Sequence, residues 1–183
     1  MGNLLGQLRL YKNQFLNFLK SPINSNWTPE LKEGHDYRDS VVIRKSNHHL
    51  YVYDKDGKVV HHQPIATGRN SGQKEVNGDS RTPVGKFSIS SYNPKADSNY
   101  FGSNIHYGLY TPEGEGRALA TGIGIHGDAG DPYSIGSNAS HGCIRCNNSD
   151  LKVLDANLGG KSAIGKTVYI LDENDKYKFG GKI

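Results

Sequence analysis

Residues 138 to 148 read NASHGCIRCNN and crowd Ser140, His141, Cys143, Arg145 and Cys146 into one short stretch. The C-x-x-C spacing of Cys143 and Cys146 fits a redox dithiol, half of a zinc site, or one nucleophile beside an uninvolved second sulfur. The stretch reads as too polar for a core strand. Gly142 lets the backbone turn tightly beside Cys143, and a helix expected to start near Asn148 biases the neighbourhood toward negative charge, a setting that suits a thiolate. A free thiol of pKa about 8.5 is only about 3% ionised at pH 7, and lowering it to about 6 takes roughly 3.4 kcal/mol of differential stabilisation, which a nearby imidazole supplies.

Two imidazoles are candidates. His141 lies two residues from the cysteine, and His126 lies seventeen residues upstream, across a loop containing Gly and Asp that is long enough to fold back. A cysteine whose histidine is distant in sequence and close in space is an arrangement for acyl transfer. His48, His49, His61 and His62 form two adjacent pairs, and adjacent strand residues point to opposite faces, so these four read as structural.

The elements that must position these groups are mostly strands. From Val41 onward the apolar period is two: VVIRK, HLYVYD and KVVHHQPIATG are β-branched and aromatic runs, the last two joined by the hairpin turn DKDG at 54 to 57. GRNSGQKEVNGDSRTP is a polar loop, VGKFSISSY a strand, the stretch from Asn93 to Asn104 a loop, IHYGLY a strand, and GIGIHG a short buried strand ending at His126. A polar N-cap cluster at NNSD, apolar residues at Leu151, Leu154 and Leu158, and Gly159 as a stop mark a helix, and KTVYILD closes the chain's last strand. Ahead of all this, Leu4, Leu8, Tyr11, Phe15, Phe18 and Leu19 recur at the helix period until Ser21-Pro22, giving an amphipathic packing or linker helix.

At 183 residues the chain is long enough for one domain with a sizeable core, and 23 glycines with 11 tyrosines favour a turn-rich β fold over a helical bundle. The net charge of +4 comes from scattered Lys and Arg without a basic run, which argues against nucleic-acid binding. Two cysteines without a finger-spaced Cys/His cluster exclude a structural zinc site. No stretch is apolar for the roughly 18 residues a membrane span needs, and Arg9, Lys12 and Asn13 interrupt the N-terminal apolar residues where a signal-peptide core would be.

The stretch IHGDAGDPYSIGSNASHGCIRCNNSD, residues 125 to 150, resembles the signature of the L,D-transpeptidase (YkuD) family: a His-Gly pair, a loop of this length, then Ser-His-Gly-Cys, an apolar residue, and Arg or Asn. LYVYDKDGKVVHHQPIATG resembles the family's opening hairpins and RTPVGKFSI its Thr-Pro-x-Gly-x-Phe segment, so the resemblance runs over about residues 38 to 172. It implies a mainly β fold with short helices, a YkuD-like β-sandwich or barrel as the catalytic domain over residues 37–183, preceded by the N-terminal helix and linker over 1–36. It implies a cysteine-dependent L,D-transpeptidase acting on peptidoglycan stem peptides, with no cofactor and no metal, and monomeric. Cys143 would attack the carbonyl of the third stem residue and His126 would take its proton. His141, Gly142 and Cys143 would offer backbone amides to the oxyanion, with Ser140 and His141 shaping the pocket. Arg145 would face a substrate carboxylate or brace the cysteine loop, and Gly127 and Tyr107 would line the substrate side.

Cys146 stands where the family usually has Met or Leu, so it reads as a small buried hydrophobe, with a reversible disulfide to Cys143 as the alternative. A redox dithiol would need a thioredoxin-like βαβ context that this β-rich chain lacks. Water in place of an amine acceptor would make the same residues an L,D-carboxypeptidase or a peptidoglycan hydrolase, even a wall-damaging toxin, and a catalytically idle wall-binding module is the reading from another class. The substrate places the protein in the periplasm or cell envelope, with a leader absent from the chain as read.

Overall fold

The computed structural model describes residues 36 to 111 and 122 to 172. The amphipathic helix expected over residues 4 to 19 lies outside the described residues.

Strands β1 (Ser40–Arg44), β2 (His49–Tyr53) and β3 (Val59–Gly68) form from the three expected runs. The β2–β3 turn is held by the Asp54 carboxylate, which accepts the amides of Asp56 and Lys58, and by Gly57 at φ 80°. Then follow β4 (Gly85–Asn93), β5 (His106–Tyr110), β6 (Gly124–His126), β7 (Asn138–Ser140), β8 (Ile144–Cys146) and β9 (Thr167–Leu171). One-turn helix α1 (Ser98–Phe101) precedes β5, and helix α2 (Asn148–Leu158) follows β8.

The strands lie in the order β2-β1-β9-β4-β5-β6-β8-β3, and β3 pairs back onto β2 to close an eight-stranded barrel. Closure leaves no open edge in the ring, and β7 adds outside it, in parallel to the end of β3. Parallel pairings occur at β1 with β9 and at β6 with β8.

The interior is filled by alternate residues of the strands: Val41 and Ile43, Leu50 and Val52, Phe87 and Ile89, Ile125, Ile144, Val168 and Ile170 all belong to one buried cluster. The intervening residues of β1, β2 and β9 form a second cluster of Val42, Tyr51, Tyr53, Tyr169 and Leu171, packed with Tyr37. This explains why β1 is buried at every position where alternation alone would leave half of it wet. Helix α2 starts at the Asn147 cap, whose side-chain Oδ1 accepts the Ser149 amide, and ends at Gly159, which takes the left-handed conformation at φ 79°. Its Leu151, Leu154 and Leu158 join the barrel core, each burial stabilising by about 1.5–3 kcal/mol.

One expectation is corrected here. The cysteine stretch is not wholly outside the core: β8 runs through the barrel wall between β6 and β3, with Ile144 and Cys146 fully buried. Three residues are too few to show a period of two, and the polar Arg145 between two apolar neighbours masks the strand.

Candidate active site

The turn between β7 and β8 carries Cys143. The Ser140 hydroxyl, fully buried, donates to the Cys143 carbonyl at 2.6 Å and accepts the Gly142 amide at 3.0 Å. From the other side, buried Thr82 donates to the Gly142 carbonyl at 2.8 Å and accepts the Gly68 amide at 2.7 Å, which ties the turn to the end of β3. Gly142 sits at φ 129°, and a Cβ there would lie 2.9 Å from the Arg81 carbonyl, so only glycine fits. In the expected trio of oxyanion amides, the Gly142 N–H bonds the Ser140 hydroxyl in this structure.

Register sets which side chains meet. Across the parallel β6–β8 pair Ile125 faces Ile144 and His126 faces Arg145, and one residue earlier Gly124 comes beside Cys143, to whose sulfur it offers a backbone hydrogen bond. Alternate strand residues share a face. Gly124 and His126 on one strand, with Cys143 and Arg145 on the next, therefore look out from the face opposite the buried isoleucines.

His126 is nearly inaccessible, 4% exposed. Its Nδ1 lies 2.9 Å from the Gly127 carbonyl and 3.3 Å from that of Phe101, so Nδ1 carries the proton and Nε2 is left as the basic nitrogen. Burial pushes its pKa down to about 4; the two carbonyls work to raise it, and neighbouring His106 and Arg145 add to the lowering. The half-buried Cys143 thiol donates to the Gly122 carbonyl at 3.2 Å. Its pKa is pushed up by burial, against the pull of the Gly124 amide and the positive charges of Arg145 and Lys74. Desolvation of both partners works against the two charges, whereas the sequence reading expects a thiolate.

Arg145 is half-buried on β8 and its Nε is buried without a hydrogen-bond partner among the described residues. His141 is turned outward, its Nε2 2.7 Å from an Arg69 guanidinium nitrogen. A guanidinium can only donate, so His141 Nε2 accepts in this contact. Gly127 is buried beneath His126: a Cβ there would lie 2.2 Å from Asn148 Oδ1 and 2.8 Å from the Phe101 carbonyl. Tyr107, expected on the substrate side, is fully buried in the core, with its hydroxyl donating to Asp155 of α2 at 2.5 Å; burial, followed by that bond, raises its pKa. Cys146 is fully buried in the core and unpaired.

Four residues at the site escape a sequence reading: Thr82, Arg69, Phe101 and His106. Thr82 stands in the quoted Thr-Pro segment, the one available signal; the others are brought in only by loop contacts and sheet register. Among the described residues no three His, Cys, Asp or Glu side chains are grouped so as to hold a metal ion, and no helix is long and apolar enough to cross a membrane.

The family model of the L,D-transpeptidase catalytic domain, YkuD, matches residues 38–170. Among solved structures the chain is similar to the helical cell shape determining protein Pgp2 from Campylobacter jejuni, with a TM-score of 0.55 and 26% identity over 78% of this chain and 49% of that one. It is similar to an L,D-transpeptidase from Mycobacterium tuberculosis H37Rv, with a TM-score of 0.53 and 20% identity over 72% of this chain and 57% of that one. It also covers 100% of the catalytic domain of the E. faecium L,D-transpeptidase, at a TM-score of 0.50 and 22% identity over 75% of this chain. The chain thus spans about half the length of the first two proteins. No curated protein matches the sequence.

Proposed function

The chain belongs to the YkuD family of L,D-transpeptidase catalytic domains, and from that membership we propose that it is a cysteine-dependent acyltransferase acting on peptidoglycan stem peptides at the envelope. The observation that carries the reading is the β6–β8 register, which sets His126 and Cys143 on one face with a basic nitrogen available on the first and a thiol on the second.

As the Cys143 sulfur attacks the carbonyl of the third stem residue, its proton passes to His126 Nε2. Burial that disfavours both charges fits this order, because the thiolate and imidazolium are then needed only as negative charge moves onto the carbonyl oxygen. The C–N bond breaks, His126 returns the proton to the departing amine of the terminal D-residue, and a thioester remains on Cys143. An acceptor amine attacks that thioester, loses a proton to His126, and releases Cys143. Arg145 would face a carboxylate of the substrate, since its guanidinium has a buried, unpartnered Nε next to His126.

Incubating the protein with a stem tetrapeptide and a second stem amine, then measuring intact mass, tests the reading. An acyl adduct mapping to Cys143 and a crosslinked dimer are expected. A shortened acid without dimer would make water the acceptor and the protein a carboxypeptidase, and the absence of any adduct or product would remove the reading altogether.

A further inference from the structure

Three rings stand together at the base of the site. His106 on β5 is the register partner of His126 on β6, and their imidazoles stack at 6.1 Å with planes 15° apart. Phe101 closes the group, its ring 4.6 Å from His106 and 5.1 Å, edge-on, from His126. The same Phe101 residue supplies a carbonyl to His126 Nδ1.

The place of His106 is built into the sheet. A Cβ on Gly124 would lie 2.5 Å from His106 Nε2 and 2.9 Å from its Cε1, so the imidazole occupies the space that any other residue at 124 would fill. His106 is half-buried, and no hydrogen bond or ion pair ties its side chain to a described residue. What it does touch are two rings, one of them His126.

We propose that His106 is a positioning residue for His126: its ring is the wall that fixes the plane of the His126 imidazole, so that the two carbonyls hold Nδ1 and Nε2 stays open to a proton. The proposal rests on His126 being the base of the reaction proposed above. Among the described residues the charged or titratable groups facing His126 are His106 from β5, Arg145 from β8 and the Cys143 thiol on the turn before β8; His106 and Arg145 oppose a positive charge on it. The Asp128 carboxylate is turned to the Gly130 amide at 2.9 Å, and Asn148 at the start of α2 is neutral. Removing the His106 ring opens one buried side of His126 to water and takes away one of two opposing groups, and both changes ease its protonation.

The test follows the His126 ring signals by NMR across pH in the wild type and in three variants, with His126→Gln used to assign them. His106→Ala and His106→Gln, which both lose the ring, should raise the His126 titration midpoint by about one pH unit or more toward 6.5 and lower kcat for acylation about tenfold with KM little changed. His106→Phe, which keeps a ring, should leave the midpoint low and restore most of kcat. A midpoint unmoved in both ringless variants would overturn the proposal, as would a Phe variant as impaired as the ringless ones. If His126→Gln proves harmless to acylation, the reading of His126 as base fails while the titration result for His106 still stands or falls by itself.

Discussion

The buried hydroxyl of Ser140 donates to the carbonyl of Cys143 at 2.6 Å, so the turn bearing the thiol is closed from within by a side chain that no solvent reaches. With the Gly142 amide donating to the Ser140 hydroxyl oxygen and Thr82 donating to the Gly142 carbonyl, the backbone of Gly142 and Cys143 is held by two hydroxyls. Each hydroxyl also leaves a buried backbone group unpaired if it is removed.

Ser140→Ala and Thr82→Val are therefore expected to cost about 1–3 kcal/mol each in urea unfolding, the range for orphaning buried hydrogen-bonding groups. Acylation of Cys143 should slow by roughly tenfold or more in both, because misplacing the sulfur by a fraction of an ångström weakens the near-attack geometry. Unchanged stability in both variants would show that the hydroxyls do not hold the turn.

The two cysteines should separate cleanly. Residues 143 and 146 are three apart around strand β8, so their side chains fall on opposite faces: Cys146 lies in the core while Cys143 faces the site. Cys143→Ala is expected to abolish activity. Cys146→Ala should keep most of it while losing about 1–2 kcal/mol of stability to a small core cavity. Mass analysis after brief iodoacetamide treatment of the folded protein should find one alkylated cysteine; rapid labelling of both would contradict the placement of Cys146.

Much of the barrel is legible in the sequence because its strands are long enough to show a period of two; VVIRK, HLYVYD and KTVYILD appear as β1, β2 and β9. Helix α2 is legible through its Asn cap and Gly stop. Strands β7 and β8 are not, since each is three residues long and carries polar residues that break an apolar run, and neither is the second cluster that buries the outer tyrosines of β1, β2 and β9. At the site, the Ser-His-Gly-Cys motif points to the cysteine turn, but burial pushes the thiol pKa up, against the lowering that the sequence reading expects. Tyr107 shows the other limit: its position beside His106 in sequence gives no sign that strand alternation turns it into the core.

The Arg69–His141 contact joins the polar loop after β3 to the cysteine turn, and the Arg69 amide also donates to the Ser140 carbonyl at 2.9 Å. Both side chains are exposed, so the contact should contribute little to stability. A double-mutant cycle with Arg69→Ala and His141→Ala is expected to give a coupling of about 0.5 kcal/mol or less in unfolding. His141→Ala should slow acylation far less than His126→Ala, for which at least about a 100-fold loss is expected. Equal losses would mean that His141 turns inward during the reaction.

The last expectation is the pH dependence set by His126. Its pKa in the folded protein is pushed down to about 4 by burial, against an unfolded value of about 6.5. Below 6.5 the unfolded chain binds a proton there that the folded protein does not bind until about pH 4. The unfolded state thus gains as pH falls, and the stability present above 6.5 is lost progressively between 6.5 and 4, on the order of 3 kcal/mol from this group. His62 and His106, whose pKa values burial also lowers, act in the same direction. The share belonging to His126 is isolated by His126→Gln, which should flatten the fall in unfolding free energy measured by urea titration at pH 7, 6, 5 and 4. The same proton should govern chemistry: acylation by a stem tetrapeptide should keep its base in the neutral form well below pH 6, so its acidic limb should lie nearer 4 than 6.5. A limb at 6.5, with a slope of stability untouched by His126→Gln, would mean that the imidazole is hydrated and not held in the buried face between His106 and Arg145.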